Sequence, residues 1–397
     1  MTTKAAGNLR LMIVAGEPSG DAHAASLVRA LRERAPGVNF EFFGATQREM
    51  SAAGVESIVR TDDLGIVGLL EIGSALPKFW RAFKALRQAG AERRPDAVIL
   101  VDWPDFNLRL ARAFRRRGLR VIYYISPQLW AWRAHRVRSV RRDVDLLLAI
   151  LPFEPDWYAA RGVRQVEFVG HPLTGEVAAR YDRAEFCRRH QLDPARPLVA
   201  LLPGSRLTEL QRILPTQLAA ASLVLAAKPD AQFVVAVAPI RTSEEVAPFV
   251  ADATARTPQL ASSLRIVQHA TREALAAADA AAVASGTATL EAAILETPLV
   301  VVYKTSALNW HTLRRLIDID HFGLANLIAR ERIVPELMQG DLTGATLAAE
   351  LLSLLAPARN AAVRRRLHEV REQLGAGGAS LRAADAVLRA VRAWKQQ

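Results

Sequence analysis

Short runs rich in valine, isoleucine and leucine alternate with segments of helical period along most of the chain. This alternation predicts parallel β-strands joined by helical crossovers, because parallel strands are buried on both faces and read as continuous apolar runs. The expected strands lie near Leu9–Ala15, Phe40–Gly44, Ala97–Val101, Val121–Ile125, Leu146–Ile150, Leu198–Leu202, Gln232–Val237, Arg265–Val267, Ala280–Ala284 and Leu299–Val302. The sequence therefore predicts an α/β protein with two doubly wound halves that face each other across a cleft.

The length of 397 residues also favours two domains, because a single hydrophobic core stops growing below this size. Proline and two glycines interrupt the pattern at Gly170–Gly175, so the join between the halves is expected there. The last part of the chain is typical of three helices, at Thr343–Leu355, Asn360–Gln373 and Leu381–Trp394. We predict an N-terminal domain over residues 1–172, a second domain over 173–342, and helices over 343–397 that pack across the other domain or a second subunit.

Composition excludes several classes of protein. No stretch reaches 18 apolar residues without a charge, and the N-terminus lacks a secretory apolar region, so a cytoplasmic protein is expected. The single cysteine, Cys187, excludes an intrachain disulfide and a cysteine-based metal site. Histidines and carboxylates do not show the spacing of metal ligands, so we expect neither a metal nor another cofactor.

The net charge of +12 suggests an anionic partner, and much of this charge is local. The segment Phe106–Arg142 holds eleven arginines and no acidic residue, interleaved with Trp130, Trp132, Tyr123 and Tyr124. Such a face could bind nucleic acid or the anionic headgroups of a membrane. The simpler alternative is a solvated basic helix face.

Two turns in the second half have the composition of anion sites at helix N-termini. Ser285, Gly286 and Thr287 follow one expected strand, and Gly204, Ser205 and Arg206 follow another. Glu291 lies one helical turn beyond Thr287, where a carboxylate could accept both ribose hydroxyls of a nucleotide. Together the turns favour a nucleotide-sugar site, and the alternative is a pair of ordinary glycine-containing turns.

The turn Gly16–Asp21 follows the first strand and opens towards the predicted cleft. It lacks both the G-x-G-x-x-G spacing and the P-loop Gly-Lys-Ser/Thr, which argues against a dehydrogenase or a kinase. Glu17, Ser19 and Asp21 could instead accept hydrogen bonds from sugar hydroxyls. For Ser19 and Asp21 the alternative is helix capping.

Asp102 ends a buried strand beside the apolar residues Trp103 and Phe106. Sugar transfer to a hydroxyl needs a group that takes the proton, and Asp102 is the predicted base. Asp102 could instead cap the helix that Pro104 begins, and capping is the preferred interpretation for Asp105.

The stretch Asp63–Trp80 is apolar, glycine-rich and bordered by Lys78, Arg81 and Lys84. It could receive acyl chains or rest in a bilayer interface. A buried helix would have a similar sequence, so both interpretations stay open.

These motifs resemble those of the lipid-A-disaccharide synthase family over nearly the whole chain. Gly16–Asp21 is similar to the family's N-terminal loop, with Pro18 where a small residue is usual, and Asp102–Asn107 matches its Asp-x-Pro-Asp-Phe-Asn, with Trp103 often replaced by alanine. Further similar segments are Ser126–Arg133, Leu151–Glu154, Gly170–His171, Leu202–Arg206, Ser285–Glu291 and Leu324–Ile328, where Ala325 replaces the family's proline.

The resemblance implies a glycosyltransferase-B fold, with two Rossmann-like domains and C-terminal helices. It implies an inverting hexosyltransferase that moves 2,3-diacylglucosamine from UDP-2,3-diacylglucosamine to the 6-hydroxyl of 2,3-diacylglucosamine 1-phosphate. The products would be the β-1,6-linked lipid A disaccharide 1-phosphate and UDP. Peripheral attachment to the anionic inner face of the inner membrane is also implied, and a homodimer that exchanges its C-terminal helices is compatible with the resemblance.

The expected catalytic residue is Asp102, with Glu17 and Asp105 as alternatives for the base. The residues expected to bind the donor are Gly204, Ser205, Arg206, Ser285, Gly286, Thr287, Glu291 and Asn326. The residues expected to bind the acceptor are Gly16, Glu17, Ser19, Gly20, Asp21, Asp105, Asn107 and His171. At the join between the halves, His171 could also be purely structural.

Two rival functions remain open from the sequence. The first is another UDP-sugar enzyme of the same architecture, either an N-acetylglucosaminyltransferase or a UDP-sugar 2-epimerase, because fold alone does not fix chemistry. The second is a nucleic-acid binder built on the arginine-rich segment, although those arginines accompany no recognised RNA or DNA motif. The preferred interpretation involves no nucleic acid.

Overall fold

A computed structural model of the chain describes residues 7–62, 72–306 and 321–396, and of residues 72–76 it describes only the backbone. The chain divides into two compact units, of which the first comprises Met1–Pro172 with Gly377–Gln397 and the second comprises Leu173–Ala376. The break after Pro172 falls inside the Gly170–Gly175 stretch. Each unit is built on one parallel β-sheet.

The sheet of the first unit has seven parallel strands. They are β1 (Asn8–Ala15), β2 (Asn39–Thr46), β3 (Glu56–Arg60), β4 (Ala97–Val101), β5 (Val121–Tyr124), β6 (Leu146–Ala149) and β7 (Val166–Phe168), in the spatial order β3-β2-β1-β4-β5-β6-β7. Leu11 and Ile13 of β1 belong to one apolar layer, whereas Met12 and Val14 belong to the opposite one. Burial on both faces explains why this strand reads as a continuous apolar run.

The sheet of the second unit has six parallel strands. They are β8 (Leu198–Leu202), β9 (Gln232–Val237), β10 (Leu264–Gln268), β11 (Ala280–Ala284), β12 (Leu299–Tyr303) and β13 (Glu336–Met338), in the order β10-β9-β8-β11-β12-β13.

Helices connect these strands as crossovers. The described helices are α1 (Pro18–Arg34), α2 (Arg48–Ala52), α3 (Ile72–Arg93), α4 (Pro104–Arg115), α5 (Val137–Asp143), α6 (Glu154–Ala159), α7 (Leu173–Glu176), α8 (Arg183–Arg189), α9 (Leu207–Ala227), α10 (Ser243–Arg256), α11 (Leu260–Ser263), α12 (Thr271–Ala277), α13 (Thr287–Ile294), α14 (Leu324–Ala329), α15 (Gly344–Leu355), α16 (Pro357–Gln373) and α17 (Ala379–Lys395). Two short 3-10 turns, Ala134–Arg136 and Gln339–Asp341, complete the described helical structure.

The predicted α/β class and the ten expected strands are confirmed. Sequence reasoning missed β3, β7 and β13, each of which lies at the edge of its sheet. Strands β3 and β7 are half-buried or exposed, and β13 is only three residues long, so none of them shows the continuous apolar run that marks a central strand.

Each sheet reverses its winding direction once. The reversal falls between β1 and β4 in the first unit and between β8 and β11 in the second. Loops that leave the carboxyl ends of such neighbouring strands diverge to opposite faces of the sheet and open a crevice, where ligands of doubly wound sheets bind. The turns Gly16–Asp21 and Asp102–Asn107 flank one such point, and the turns after β8 and β11 flank the other.

The C-terminal helices divide between the two units. Helices α15 and α16 belong to the second unit, whereas α17 belongs to the first and packs against α1. Ala383, Val387 and Val391 of α17 are fully or almost fully buried. They lie in the apolar layer that contains Leu11 and Ile13 of β1. The sequence predicts that the helices of 343–397 pack across the other domain or a second subunit, and in the structure the apolar stripe of α17 packs in the first unit.

Within the described residues, α9 alone is long and apolar enough to cross a membrane by length and composition. Half of its most apolar window is buried inside the fold. A core helix of an α/β domain passes the same test.

Candidate functional site

The second unit contains a cavity of about 870 Å³ at the carboxyl ends of its strands. Leu202 of β8, Ala236 of β9, Ala284 of β11 and Tyr303 of β12 all line it. The cavity therefore lies at the point where the sheet reverses direction, and its volume is typical of small-ligand sites. Seven of the eight residues expected to bind the donor line it, namely Gly204, Ser205, Arg206, Ser285, Gly286, Thr287 and Glu291.

The turn after β11 offers open backbone donors to this cavity. Gly286 precedes the first residue of α13, and a side chain at this position would meet no atom within 4 Å. Among the described residues, no side chain accepts from the N–H groups of Thr287 and Ala288, the first two of the helix. The start of α13 can therefore bind an anion with both backbone donors and the helix dipole.

The turn after β8 is different, because the chain's own carboxylate occupies it. Glu209 Oε2 accepts from the N–H of Ser205 at 2.9 Å and from that of Arg206 at 3.1 Å. Gly204 has φ +111°, and a Cβ there would lie 2.3 Å from Glu209 Oε2. Glycine is thus required at this turn, but its backbone donors are not open to a phosphate as the sequence analysis expected.

Two cations beside these turns have access to the cavity. The Arg206 side chain is 78% exposed, and its Nη1 atom is 3.8 Å from Glu209 Oε1. Arg272 donates from Nε to Glu291 Oε1 at 3.0 Å and from Nη1 to the Glu176 carbonyl at 2.8 Å. The described contacts of Glu291 use Oε1, so among the described residues its other oxygen remains available to a ribose.

Sequence reasoning missed Arg272, Arg180, His269 and Glu273 in the cavity lining. Burial raises the pKa of Glu273, but hydrogen bonds from Arg180 outweigh burial and leave the pKa below its usual value. These residues follow β10 or precede β8 in the chain. Only the order of strands in the sheet shows that they belong to the same site.

Asn326, the eighth expected donor residue, does not line the cavity. It is fully buried, and its amide donates to the Val334 carbonyl at 2.9 Å and to Glu336 Oε1 at 2.8 Å. Its oxygen accepts from the N–H groups of Ile333 and Val334. The structure therefore gives Asn326 the task of holding the loop before β13, which differs from the predicted donor contact.

In the first unit, Asp102 lies at the carboxyl end of β4 with a left-handed backbone. Asp102 and Trp103 have φ values of +48° and +52°. The Asp102 carbonyl accepts from the Tyr123 hydroxyl at 2.6 Å and from Asn107 Nδ2 at 2.8 Å. Asn107 also donates to the Val101 carbonyl, so this fully buried residue fixes the unusual backbone, whereas the sequence analysis placed it in the acceptor site.

The carboxyl group of Asp102 has a pKa well above that of an ordinary aspartate. Burial, helped by the negative charge of nearby Glu17, raises its pKa to about 6, and a hydrogen bond from the Trp103 backbone opposes the shift. A half-buried carboxylate with this pKa is a stronger base than an ordinary aspartate and is still ionised at neutral pH.

Trp103 packs over Gly16 and joins an aromatic cluster. A Cβ on Gly16 would lie 2.0 Å from the Trp103 ring. The ring stacks on Phe106 with centroids 4.1 Å apart and contacts Phe79 of α3 at 5.8 Å. The cluster therefore connects helix α3 with the Asp102 turn. Residues 63–71 of the predicted acyl-chain segment lie outside the described residues.

The remaining residues of the first turn have mixed roles. Glu17 and Ser19 are exposed at the start of α1, and Gly20 is buried behind them. Asp21 is 2% exposed and accepts from the N–H groups of Gln47, Glu49 and Met50 at 2.7, 2.7 and 3.2 Å. Its carboxylate caps α2, which differs from the predicted contact with a sugar hydroxyl.

Asp105 is exposed and pairs with two arginines of the basic segment. Arg133 Nη1 lies 3.0 Å and Arg136 Nη2 lies 2.5 Å from Asp105 Oδ1. The Arg133 guanidinium also covers the ring of Trp132, which is 41% exposed. Asp105 thus contributes to an ionic cluster with at least one excess positive charge.

A buried carboxylate joins two of the motifs noted in the sequence. Glu154 accepts from the Ser126 hydroxyl at 2.5 Å, from Trp130 Nε1 at 3.1 Å, and from the N–H groups of Ile150 and Leu151. Burial raises its pKa and these four hydrogen bonds oppose the rise. Glu154 therefore fixes the loop that carries Trp132 and Arg133.

His171 is 8% exposed in the first unit. Burial, together with His23, lowers its pKa to about 4, so the imidazole is neutral at physiological pH. Within the parts of the chain that the structure describes, no group of three or more His, Cys, Asp and Glu side chains could hold a metal ion.

Comparison with known sequences identifies relatives over nearly the whole chain. A protein-family model described as Lipid-A-disaccharide synthetase matches residues 11–390. The Lipid-A-disaccharide synthase of Myxococcus xanthus (strain DK1622) is 41% identical over 380 residues, which cover 96% of this chain and 97% of that protein.

Solved structures share the fold at low identity. The calicheamicin glycosyltransferase CalG4 has a TM-score of 0.60 at 18% identity and covers 97% of this chain and 98% of its own. The UDP-GlcNAc 2-epimerase of Neisseria meningitidis, solved bound to UDP-GlcNAc, has a TM-score of 0.62 at 11% identity, with 96% and 100% covered. The architecture is thus that of glycosyltransferase-B enzymes and 2-epimerases, and at these identities it does not choose between their reactions.

Proposed function

The chain belongs to the lipid-A-disaccharide synthase family of glycosyltransferases, and on that basis we propose that it joins two acylated glucosamines into the lipid A disaccharide. The donor is UDP-2,3-diacylglucosamine and the acceptor is 2,3-diacylglucosamine 1-phosphate. Transfer to the acceptor's 6-hydroxyl gives the β-1,6-linked disaccharide 1-phosphate and UDP. The observation that most supports this proposal is the cavity of the second unit, with an open helix start, two arginines and a carboxylate suited to a ribose.

The donor diphosphate binds at the start of α13, where the N–H groups of Thr287 and Ala288 are open. Arg206 and Arg272 add positive charge beside it, and Glu291 accepts hydrogen bonds from the ribose hydroxyls. These groups stabilise the negative charge that grows on the diphosphate as the glycosidic bond breaks. The proposed reaction needs no metal or other cofactor, because the helix start and the arginines supply this charge.

Asp102 takes the proton from the acceptor's 6-hydroxyl. The hydroxyl oxygen forms a bond to the anomeric carbon, and the bond between that carbon and the diphosphate breaks, with its electron pair leaving on UDP. One displacement of this kind inverts the α-configured donor to a β-linked product. The pKa of about 6 suits Asp102 to the task, because most molecules carry the ionised base at neutral pH.

Both substrates carry acyl chains, so the enzyme works at a membrane surface. We propose a cytoplasmic protein bound peripherally to the anionic inner face of the inner membrane. Trp80 is 67% exposed on α3, stacks on Phe83 and is flanked by Lys78 and Arg81, which suits an interfacial helix. A homodimer with exchanged C-terminal helices stays a prediction, since in the described chain α17 packs on its own α1.

Product analysis tests the reaction. The purified protein is incubated with UDP-2,3-diacylglucosamine, with and without 2,3-diacylglucosamine 1-phosphate, and lipids are identified by mass spectrometry. We expect a disaccharide phosphate only when the acceptor is present. A new UDP-sugar without acceptor would instead indicate an epimerase, and transfer to a different acceptor would indicate another glycosyltransferase.

A further inference from the structure

Glu209 places a negative charge inside the cavity of the second unit. Its Oε2 atom accepts from two backbone N–H groups at the turn after β8, at 2.9 and 3.1 Å. The side chain is 17% exposed and lines the cavity together with Gly204, Ser205 and Arg206. The carboxylate therefore occupies a position at which backbone donors and Arg206 would otherwise attract an anion.

The cavity thus contains two turns of opposite electrostatic character. At the turn after β11, the N–H groups of Thr287 and Ala288 have no carboxylate partner among the described residues. At the turn after β8, the N–H groups of Ser205 and Arg206 already donate to the Glu209 carboxylate. A ligand with two phosphates can place them at α13 and beside Arg206, but additional negative charge has to approach Glu209.

Helix capping alone does not account for this position. Glu245 in α10 forms the same capping arrangement, accepting from the Thr242 N–H at 3.0 Å, and it does not line the cavity. The two glutamates share their structural task at the third position of a helix. They differ in that only Glu209, of these two, faces the cavity, so a comparison of both separates capping from an effect on ligands.

We propose that Glu209 is a charge-discriminating residue of the donor site, which lowers affinity for free uridine nucleotides relative to UDP-sugars. The inference rests on the proposed binding of a UDP-sugar in this cavity. UDP carries more negative charge than a UDP-sugar, because its terminal phosphate is no longer esterified, and UTP carries more again. A fixed carboxylate repels each added charge, so it favours release of UDP after transfer and disfavours capture of UTP.

Calorimetry with a series of ligands tests this proposal. UDP-N-acetylglucosamine, UDP and UTP are titrated, without divalent metal, into the wild-type chain and the Glu209→Gln and Glu245→Gln variants. Glutamine keeps an oxygen that can accept the backbone hydrogen bonds. We expect Glu209→Gln to tighten UDP binding by about threefold to tenfold, UTP binding by more, and binding of the UDP-sugar least. Glu245→Gln should leave all three affinities unchanged.

A second variant separates the effect of charge from the effect of altering the side chain at this position. Glu209→Asp keeps the negative charge and should retain the wild-type order of affinities, and a gain like that of glutamine would overturn the proposal. Equal changes for all three ligands in Glu209→Gln would reduce Glu209 to a helix cap. If the wild-type chain bound none of the three, the proposed donor site would fail together with this inference, whereas binding without a charge-ordered gain would overturn the inference alone.

Discussion

Asp102 combines a raised pKa with a left-handed backbone, and neighbouring residues cause both. Burial and Glu17 raise the pKa, and hydrogen bonds from Tyr123 and Asn107 to the Asp102 carbonyl hold the backbone. Unfavourable conformations of this kind persist where surrounding contacts determine them, and they cluster at functional sites. The proposed base is therefore held by groups that do not themselves take the proton.

Replacement of Asp102 by asparagine should lower turnover by about a hundredfold to ten-thousandfold with the fold retained, because the hydroxyl loses its base. In the wild-type enzyme, kcat/KM should fall as the pH drops through about 6, where Asp102 becomes protonated. Steady-state assays over a range of pH measure both effects. Near-normal turnover in Asp102→Asn would assign the base to another residue, with Glu17 and Asp105 next in line.

The same substitution should change the pH dependence of stability. The pKa of Asp102 is raised from 3.8 to about 6 on folding, so its ionised form destabilises the folded chain at neutral pH. This penalty is absent below the unfolded pKa and complete above the folded one. From pH 4 to pH 7.5, Asp102→Asn should therefore gain roughly 1–3 kcal/mol in free energy of unfolding relative to wild type. Urea denaturation at both pH values measures this gain, and a constant difference would contradict the assigned burial.

Gly16 and Gly20 form a matched pair for testing the Trp103 contact. A Cβ at Gly16 would lie 2.0 Å from the Trp103 ring, whereas at Gly20 the nearest atom is 3.7 Å away. Gly16→Ala should therefore lower the free energy of unfolding by about 1–3 kcal/mol, and Gly20→Ala, inside α1, should raise it by up to about 1 kcal/mol. Thermal unfolding compares the two. Equal effects would show that Trp103 does not depend on the space at Gly16.

Asn326 should matter for stability more than for donor affinity. Its alanine variant leaves several buried backbone groups without partners, so the free energy of unfolding should fall by about 2–4 kcal/mol. Calorimetry on protein that is still folded should show UDP affinity changed less than twofold. A large loss of affinity with stability unchanged would restore Asn326 to the donor site.

Most residues expected to bind the donor line the cavity of the second unit, but several of their contacts differ from those expected. Gly204, Ser205 and Arg206 line the cavity as expected, yet Glu209 already fills their backbone donors. Glu209 has the spacing of the glutamate in a capping box, but Arg206 stands where that motif has Ser or Thr, so the sequence did not reveal this contact. The sequence did not reveal the cap formed by Asp21 either, because its partners are residues 47–50 on another element.

At the scale of elements, the central strands are predictable from the sequence, whereas three of the four edge strands, β3, β7 and β13, are not. The strands that flank each reversal point are buried on both faces, so their apolar runs identify them and the turns that follow. The strand order itself depends on contacts between distant segments. The sequence therefore did not indicate that Arg272 and His269 belong to the candidate site, and the structure shows that they line the cavity.

Helix α17 shows the same dependence on distant contacts. It lies far from α1 in sequence, and ion pairs such as Arg34 with Asp385 at 2.9 Å accompany its buried apolar stripe. Val387→Asp would bury a charge in that stripe and should lower the free energy of unfolding by at least about 3 kcal/mol. The control Arg392→Asp, exposed on the same helix, should change it by less than about 1 kcal/mol. A loss for Val387→Asp as small as that for the control would show that α17 contributes little to the core.

On the scale of the whole molecule, the positive charge and the exposed apolar side chains are the features on which the proposed membrane binding depends. Ion pairs reduce the excess of the arginine-rich segment: Asp105 pairs with Arg133 and Arg136, and Asp145 with Arg115 and Arg120. The remaining exposed arginines suit an anionic surface rather than a defined nucleic-acid motif.

Trp80 provides the corresponding test. Trp80→Ser should weaken sedimentation with vesicles of anionic phospholipid, because an exposed aromatic ring beside basic residues contributes to interfacial binding. Leu223→Ser, at an exposed apolar position of α9, is the control and should bind like wild type. Equal recovery with neutral and anionic vesicles in the wild type would remove the electrostatic contribution from the account.

The central claim is one inverting displacement, with Asp102 as base and UDP as leaving group. The most direct measurement is the anomeric configuration of the disaccharide, determined by NMR on product that the wild-type enzyme makes from the α-configured donor. The account predicts a β-linkage from the earliest time points. An α-linkage would require retention of configuration and would contradict a single attack by a hydroxyl that Asp102 deprotonates.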